Sequence, residues 1–154
     1  MAVHTAEVIW EADGDFAANR YSRAHVWRFD GGVEVPASAS PDVVPLPLSR
    51  ADAVDPEEAF IAAISSCHMM WFLDYARQAG HVVRRYHDRA EGKMLMQDGR
   101  VWIPRVSLNI RVDWDGTPPD DAAHDALHHQ AHEACFVANS VRTEITHNLL
   151  GGVE

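Results

Sequence analysis

The sequence is poor in cysteine and in positive charge, and it has no long apolar run. Cys67 and Cys135 are the two cysteines among 154 residues. That excludes a scaffold held by several disulfides, and in a reducing compartment such a pair serves catalysis, metal binding or plain burial. Lys and Arg total 13 against 23 Asp and Glu, a formal charge of -10. A polyanion is bound by clustered cations that displace its counterions, so nucleic acid is not an expected partner. The longest apolar stretch, Ala59 to Leu73, falls short of the ~20 residues that span a bilayer as a helix. No basic segment leading into an apolar one opens the chain, so the expected location is cytoplasmic and no membrane partner is expected.

What is present is the material of a globular protein. Hydrophobic residues make up 47% and charged residues 23%, enough apolar surface to offset the entropy of ordering the chain. A chain of this length suits one domain, residues 1–154, burying roughly two thirds of its unfolded surface. Ala6, Val8, Trp10 and Ala12 alternate with polar residues, as do His25, Trp27 and Phe29 before Asp30-Gly31-Gly32, so the chain opens with strands joined through Asp13 to Asn19. Pro36 to Val54 carries four of the eight prolines and reads as a loop. Asp55-Pro56-Glu57-Glu58 offers an N-cap, a proline at the first helical position and a carboxylate at the third, with Gly80 as the stop.

Between those signals the helix is apolar almost all round from Ala59 to Leu73, the pattern of a helix buried on most sides, with Met69, Met70, Trp71 and Phe72 read as core. Strands follow near Val82 to Ala90. Trp102, Pro104, Val106, Leu108, Ile110, Val112 and Trp114 then alternate with polar or outward positions, which predicts a long strand with one core face. Thr117-Pro118-Pro119-Asp120 caps a second helix carrying Cys135, and Val141, Thr143 and Ile145 predict a closing strand. Strands, helix, strands, helix, strand without βαβ alternation is an α+β order.

A thiolate attacks and a thiol does not, so a reactive cysteine needs a nearby cation or helix N-terminus. Cys67 lies about three turns into its helix, where the dipole has faded, so an arginine is required, and Arg20 and Arg23 in Asn19-Arg20-Tyr21-Ser22-Arg23 are the candidates. Without one, Cys67 is a small buried hydrophobe. Glu57 is either a helix-starting carboxylate or a catalytic one. Ten helical residues, about 15 Å, separate it from Cys67, so a catalytic Glu57 acts through an arginine or across a dimer. His128, His132 and Cys135 fall on one face of the second helix at i, i+4 and i+7, and with Cys67 or His68 they offer a zinc set. Histidines on a helix are otherwise solvated or hydrogen-bonded.

The stretch Asp55-Pro56-Glu57-Glu58-Ala59-Phe60-Ile61-Ala62-Ala63-Ile64-Ser65-Ser66-Cys67, with the later Ala134-Cys135-Phe136-Val137-Ala138-Asn139-Ser140, resembles the OsmC/Ohr family of thiol-dependent peroxidases. The histidine-rich second helix, Phe136 where the family often has proline, and His68 after the first cysteine place it nearer a less characterised OsmC-like branch. The resemblance implies an OsmC-like fold, antiparallel sheets wrapped around two long central helices in an intertwined homodimer, with sites at the subunit interface. It implies that Cys67 matches the peroxide-attacking cysteine, Cys135 the resolving one and Glu57 the family glutamate. The family arginine falls on Arg20 or Arg23, of which Arg23 is preferred because Tyr21-Ser22-Arg23-Ala24-His25 leads into a strand. It implies a dithiol reductant of dihydrolipoyl type, as on a lipoylated protein, and no metal or organic cofactor. Phe60, Ile64, Met70 and Trp71 would favour an organic hydroperoxide over hydrogen peroxide if they line the site. The rival reading is a zinc-binding or redox-sensing module using Cys67, His128, His132 and Cys135.

Overall fold

The computed structural model describes residues 1–151, which fall into two compact units, Met1–Phe60 and a second from Ile61 onward. In the first, β1 (Ala6–Ile9), β4 (His25–Phe29) and β5 (Glu34–Ala37) form an antiparallel sheet in the order β1-β4-β5. The first strand is shorter than its alternation suggests. The residues after it, expected to be a plain connection, fold into a hairpin of β2 (Gly14–Asp15) and β3 (Arg20–Tyr21). Gly14 is required there: its φ is +98°, and a Cβ would collide with the Arg20 carbonyl oxygen. The proline-rich segment is a loop as expected, and it is pinned to β5. Ser38 N–H donates to Val54 O (3.0 Å), Val54 N–H to Pro36 O (3.0 Å) and Arg50 N–H to Ser38 Oγ (3.0 Å).

Helix α1 (Pro56–Gln78) begins in a reciprocal capping box. Glu58 N–H donates to Asp55 Oδ1 (2.7 Å) and Asp55 N–H to Glu58 Oε2 (3.2 Å). It ends in a Schellman motif, with His81 N–H on Ala76 O (2.9 Å), Gly80 N–H on Arg77 O (3.0 Å) and Gly80 at φ +84°. The expected burial on most sides is not what this chain shows. Ile64, Cys67, His68, Phe72 and Ala76 form a buried stripe, whereas Ala62, Ala63, Ser66 and Met70 are exposed, Met70 at 59%. One chain supplies cover for one side of this helix.

In the second unit β6 (Val82–Asp88), β7 (Glu91–Gly92), β10 (Arg105–Asp115) and β11 (Glu144–Leu149) make one sheet, ordered β11-β10-β6 with β7 also on β10. Val106, Leu108, Ile110 and Val112 are buried at every second position of β10, the face read from the alternation. The strand starts at Arg105 rather than Trp102. Pro104 has no N–H for a ladder, and Trp102 belongs to β9 (Arg100–Trp102), which pairs back on β8 (Leu95–Gln97) across Asp98-Gly99. Both turn residues have positive φ, +49° and +74°, as a two-residue hairpin demands. β10 is antiparallel to β6 and parallel to β11, the crossover running through α2 (Asp121–Ala134).

Asp120 caps α2, its Oδ1 accepting from Ala123 N–H at 2.8 Å. Because the cap is exposed and makes no other side-chain bond among the described residues, Asp120→Ala should lower unfolding stability by about 1 kcal/mol. A urea titration should show a lower midpoint at unchanged slope, and an unmoved midpoint would mean that the cap is dispensable.

Candidate functional site

Two helices deliver the cysteines to one place in the second unit. Cys67 sits mid-way along the buried stripe of α1 and is 7% exposed. Cys135, 1% exposed, was expected within the second helix but is its C-cap, with φ -66° and ψ 112°. The chain leaves α2 there for a 3-10 turn at Ala138–Ser140. Cys135 N–H donates to His132 O (3.2 Å), Asn139 N–H to Cys135 O (3.0 Å) and Ala138 N–H to Cys135 Sγ (3.4 Å). Both thiols are free, and Cys67 lies close enough to Cys135 to bear on its ionisation. Burial first, then the neighbouring Cys67 thiol, push the Cys135 thiol well above its ordinary pKa, against a smaller opposite pull from Ala138 N–H. The C-terminal end of the α2 dipole acts the same way as burial.

Apolar rings border this pair. Trp71, one helical turn after Cys67, meets Phe136 edge-on at 5.4 Å, and Phe136, next after Cys135, is 71% exposed. Trp71 also stacks on Tyr75 at 5.8 Å. Next to Cys67 in the chain begins a buried histidine pair that the sequence offered only as part of a zinc set. His68, 2% exposed, and His128, fully buried, share a hydrogen bond between His68 Nε2 and His128 Nδ1 (2.9 Å), with ring planes 2° apart. His128 Nε2 is 3.3 Å from His124 Nε2, and Phe72 stacks on His128 at 4.1 Å. Burial, then the fields of His147 and His132, lower His68 to a pKa of about 4, and burial, then its neighbouring histidines, lower His128 as well. Both rings are neutral at pH 7.

This arrangement corrects the zinc reading. Cys67, His128, His132 and Cys135 do not converge on one point: among the described residues the His, Cys, Asp and Glu groups that converge do not include them. His128 has both ring nitrogens engaged by His68 and His124, leaving no lone pair for a metal beside the cysteines.

The remaining candidates lie in the first unit. Arg20 is solvated and paired with Asp15 at 3.2 Å. Arg23 is half-buried, its guanidinium 3.8 Å above the Tyr21 ring, donating to Tyr21 O (2.6 Å) and Asn19 Oδ1 (2.7 Å). It lines a cleft of about 380 Å³ with Val8, Trp10, Phe16, Tyr21 and His25. Trp10, Phe16 and Tyr21 pack on one another there, with ring centroids 4.8–5.8 Å apart. Glu57 is half-buried in the first turn of α1 and is not among the groups that hydrogen-bond Arg23.

The sequence profile of the OsmC family, described as OsmC-like protein, matches residues 49–149. This chain belongs to the OsmC-like family. The matched segment contains both cysteines and Glu57 but neither Arg20 nor Arg23. An OsmC-like protein of unknown function from Vibrio cholerae is 45% identical, with a TM-score of 0.94 over 97% of this chain and 100% of that one. At lower identity, which speaks for the fold alone, stand two hydroperoxide-resistance proteins. The OsmC of Legionella pneumophila is 19% identical, with a TM-score of 0.67 over 97% of each chain. OhrB of Bacillus subtilis is 20% identical, with a TM-score of 0.68 over 95% of this chain and 98% of that one. No curated protein matches this OsmC-like chain. Among its described residues no helix is long and apolar enough to cross a membrane.

Proposed function

We propose that this OsmC-like protein is a thiol-dependent peroxidase that reduces organic hydroperoxides through a two-cysteine cycle. The observation that carries the reading is the meeting of Cys67 and Cys135, two free thiols from different helices within reach of one another. The Cys67 thiolate attacks the distal peroxide oxygen, the O–O bond breaks, and the leaving alkoxide takes a proton to depart as an alcohol, leaving Cys67 as sulfenic acid. The Cys135 sulfur then attacks that sulfenic sulfur, water leaves, and a disulfide remains. An external dithiol of dihydrolipoyl type reduces the disulfide by exchange and is itself oxidised to a disulfide.

Arg23 is the proposed partner of the Cys67 thiolate. Its half-buried position over an aromatic ring favours it above the solvated, ion-paired Arg20. Glu57 is proposed to orient it. The working form is a cytoplasmic homodimer, in keeping with the exposed side of α1 at Ala62, Ala63, Ser66 and Met70. Preference for an apolar peroxide follows from Trp71 and Phe136 beside the cysteines. The names of the Legionella and Bacillus relatives point the same way, toward organic hydroperoxides.

Intact mass before and after one equivalent of cumene hydroperoxide tests the cycle. The reduced chain should lose two hydrogens, as an intramolecular disulfide requires, and recover them with dihydrolipoamide. An unchanged mass would overturn the proposal.

A further inference from the structure

We propose that Asp125, His129 and His147 form a binding site for a divalent first-row transition metal of the zinc type, separate from the cysteine pair. Asp125 and His129 stand at i and i+4 on one face of α2, and His147 comes from β11, where it pairs in register with Leu108. His147 Nε2 lies 2.8 Å from Asp125 Oδ1 and His129 Nε2 3.3 Å from Asp125 Oδ2. One ligand atom from each residue falls within 4.8 Å of the others. A tetrahedral zinc with bonds of about 2.0–2.1 Å sets neighbouring ligand atoms about 3.3 Å apart. The two contacts run to different oxygens of Asp125, so a metal between the rings requires the carboxylate to turn and offer its oxygens to one point.

The donor set is also right in kind. Two imidazoles and a carboxylate leave an open position, which suits zinc and its first-row neighbours and does not suit calcium or magnesium, whose ligands are oxygens. The rings of His129 and His147 stand at 79° to each other and aim their Nε2 atoms at opposite oxygens of one carboxylate. His147 is held from behind, its ring stacked on buried His128 at 5.2 Å and its side chain 15% exposed. His129 and Asp125 face solvent at 70% and 51%, so the metal has a path in and water a place to complete the shell. The neighbouring histidines do not compete, because His124 and His128 turn toward each other.

Zinc is titrated into the reduced, tag-free full chain in competition with a chromophoric chelator, and cobalt(II) is titrated separately to read the ligands from its absorption. One equivalent of zinc should bind. His129→Ala, at a solvent-facing position, should weaken binding by at least about tenfold, the lower end of what losing even an outer-shell partner costs. It should leave the circular dichroism of the metal-free chain unchanged. Asp125→Asn should weaken binding similarly. The cobalt adduct should show ligand-field bands without thiolate charge transfer. Intense thiolate charge transfer would put the metal on the cysteines and overturn the proposal, as would no zinc binding or an affinity unchanged by His129→Ala.

Discussion

Cys67→Ser should bring peroxide consumption down to the uncatalysed background, whereas Cys135→Ser should leave the first oxidation intact and stop after about one equivalent. The asymmetry comes from the protonation of Cys135. Cys135 is buried, stands at the carbonyl end of α2 and faces the Cys67 thiol; each of these disfavours its thiolate, so it attacks a peroxide poorly at neutral pH. A sulfenic sulfur on Cys67 is a different electrophile, already beside Cys135, and closing the bond there needs no diffusion. A serine hydroxyl cannot be oxidised in this way at all. Peroxide remaining over time, with and without dihydrolipoamide, separates the variants. In Cys135→Ser a dimedone-type probe should label Cys67. If Cys135→Ser consumed no peroxide while Cys67→Ser consumed one equivalent, the roles of the cysteines would be exchanged.

Acid should destabilise the protein well before its carboxylates titrate. His68 has an ordinary unfolded value near 6.5 and is held to about 4 in the folded chain, by burial first and then by His147 and His132, with His128 hydrogen-bonded to it. Between those two values the unfolded chain binds the proton and the folded chain does not. The stability is therefore complete above pH 6.5 and is lost progressively as the pH falls toward 4. His68 alone accounts for roughly 3 kcal/mol, and His128 shifts in the same direction. Asp88, whose carboxyl burial raises above its ordinary 3.8, acts the opposite way upward from that value and offsets part of the loss, and the lowered carboxyls of Asp52, Asp74 and Asp125 lose their effect only below 3.8. Urea unfolding at pH 7.5 and pH 4.5 should differ by several kcal/mol. Equal values would mean that the pair is charged in the folded chain.

Several elements could be read from local signals because local chemistry makes them. The ends of α1 are the capping box at Asp55 and Glu58 and the left-handed Gly80, each made within a few residues. The core face of β10 follows from strict alternation through Val106, Leu108, Ile110 and Val112. The β8–β9 hairpin also had a local signal, the Asp98-Gly99 dipeptide, which the stronger alternation beside it obscured. Other features depend on what lies across the fold. His68 and His128 are 60 positions apart, and nothing in either helix says that their rings meet and leave water. The same holds for the grouping of Asp125, His129 and His147, whose third member comes from a strand after α2. An apolar helix such as α1 does not tell which of its sides its own chain will cover. The end of α2 at Cys135 is set by the turn that follows rather than by a glycine or proline.

Because β11 joins β10 in parallel, Arg105 meets Glu144 and Ile110 meets Leu149, a pairing that no tight turn can make. On a chain leaving the ribosome, α1 and the pairing of β6 with β10 can form while α2 and residues 144–149 are still unmade. For that interval Cys67 is present without Cys135, and a sulfenic acid formed on it has nothing to close onto. Further oxidation then leads to sulfinic acid, which this chain cannot reverse. On the proposed two-cysteine cycle, the nascent protein is therefore expected to be over-oxidised by peroxide more readily than the finished one.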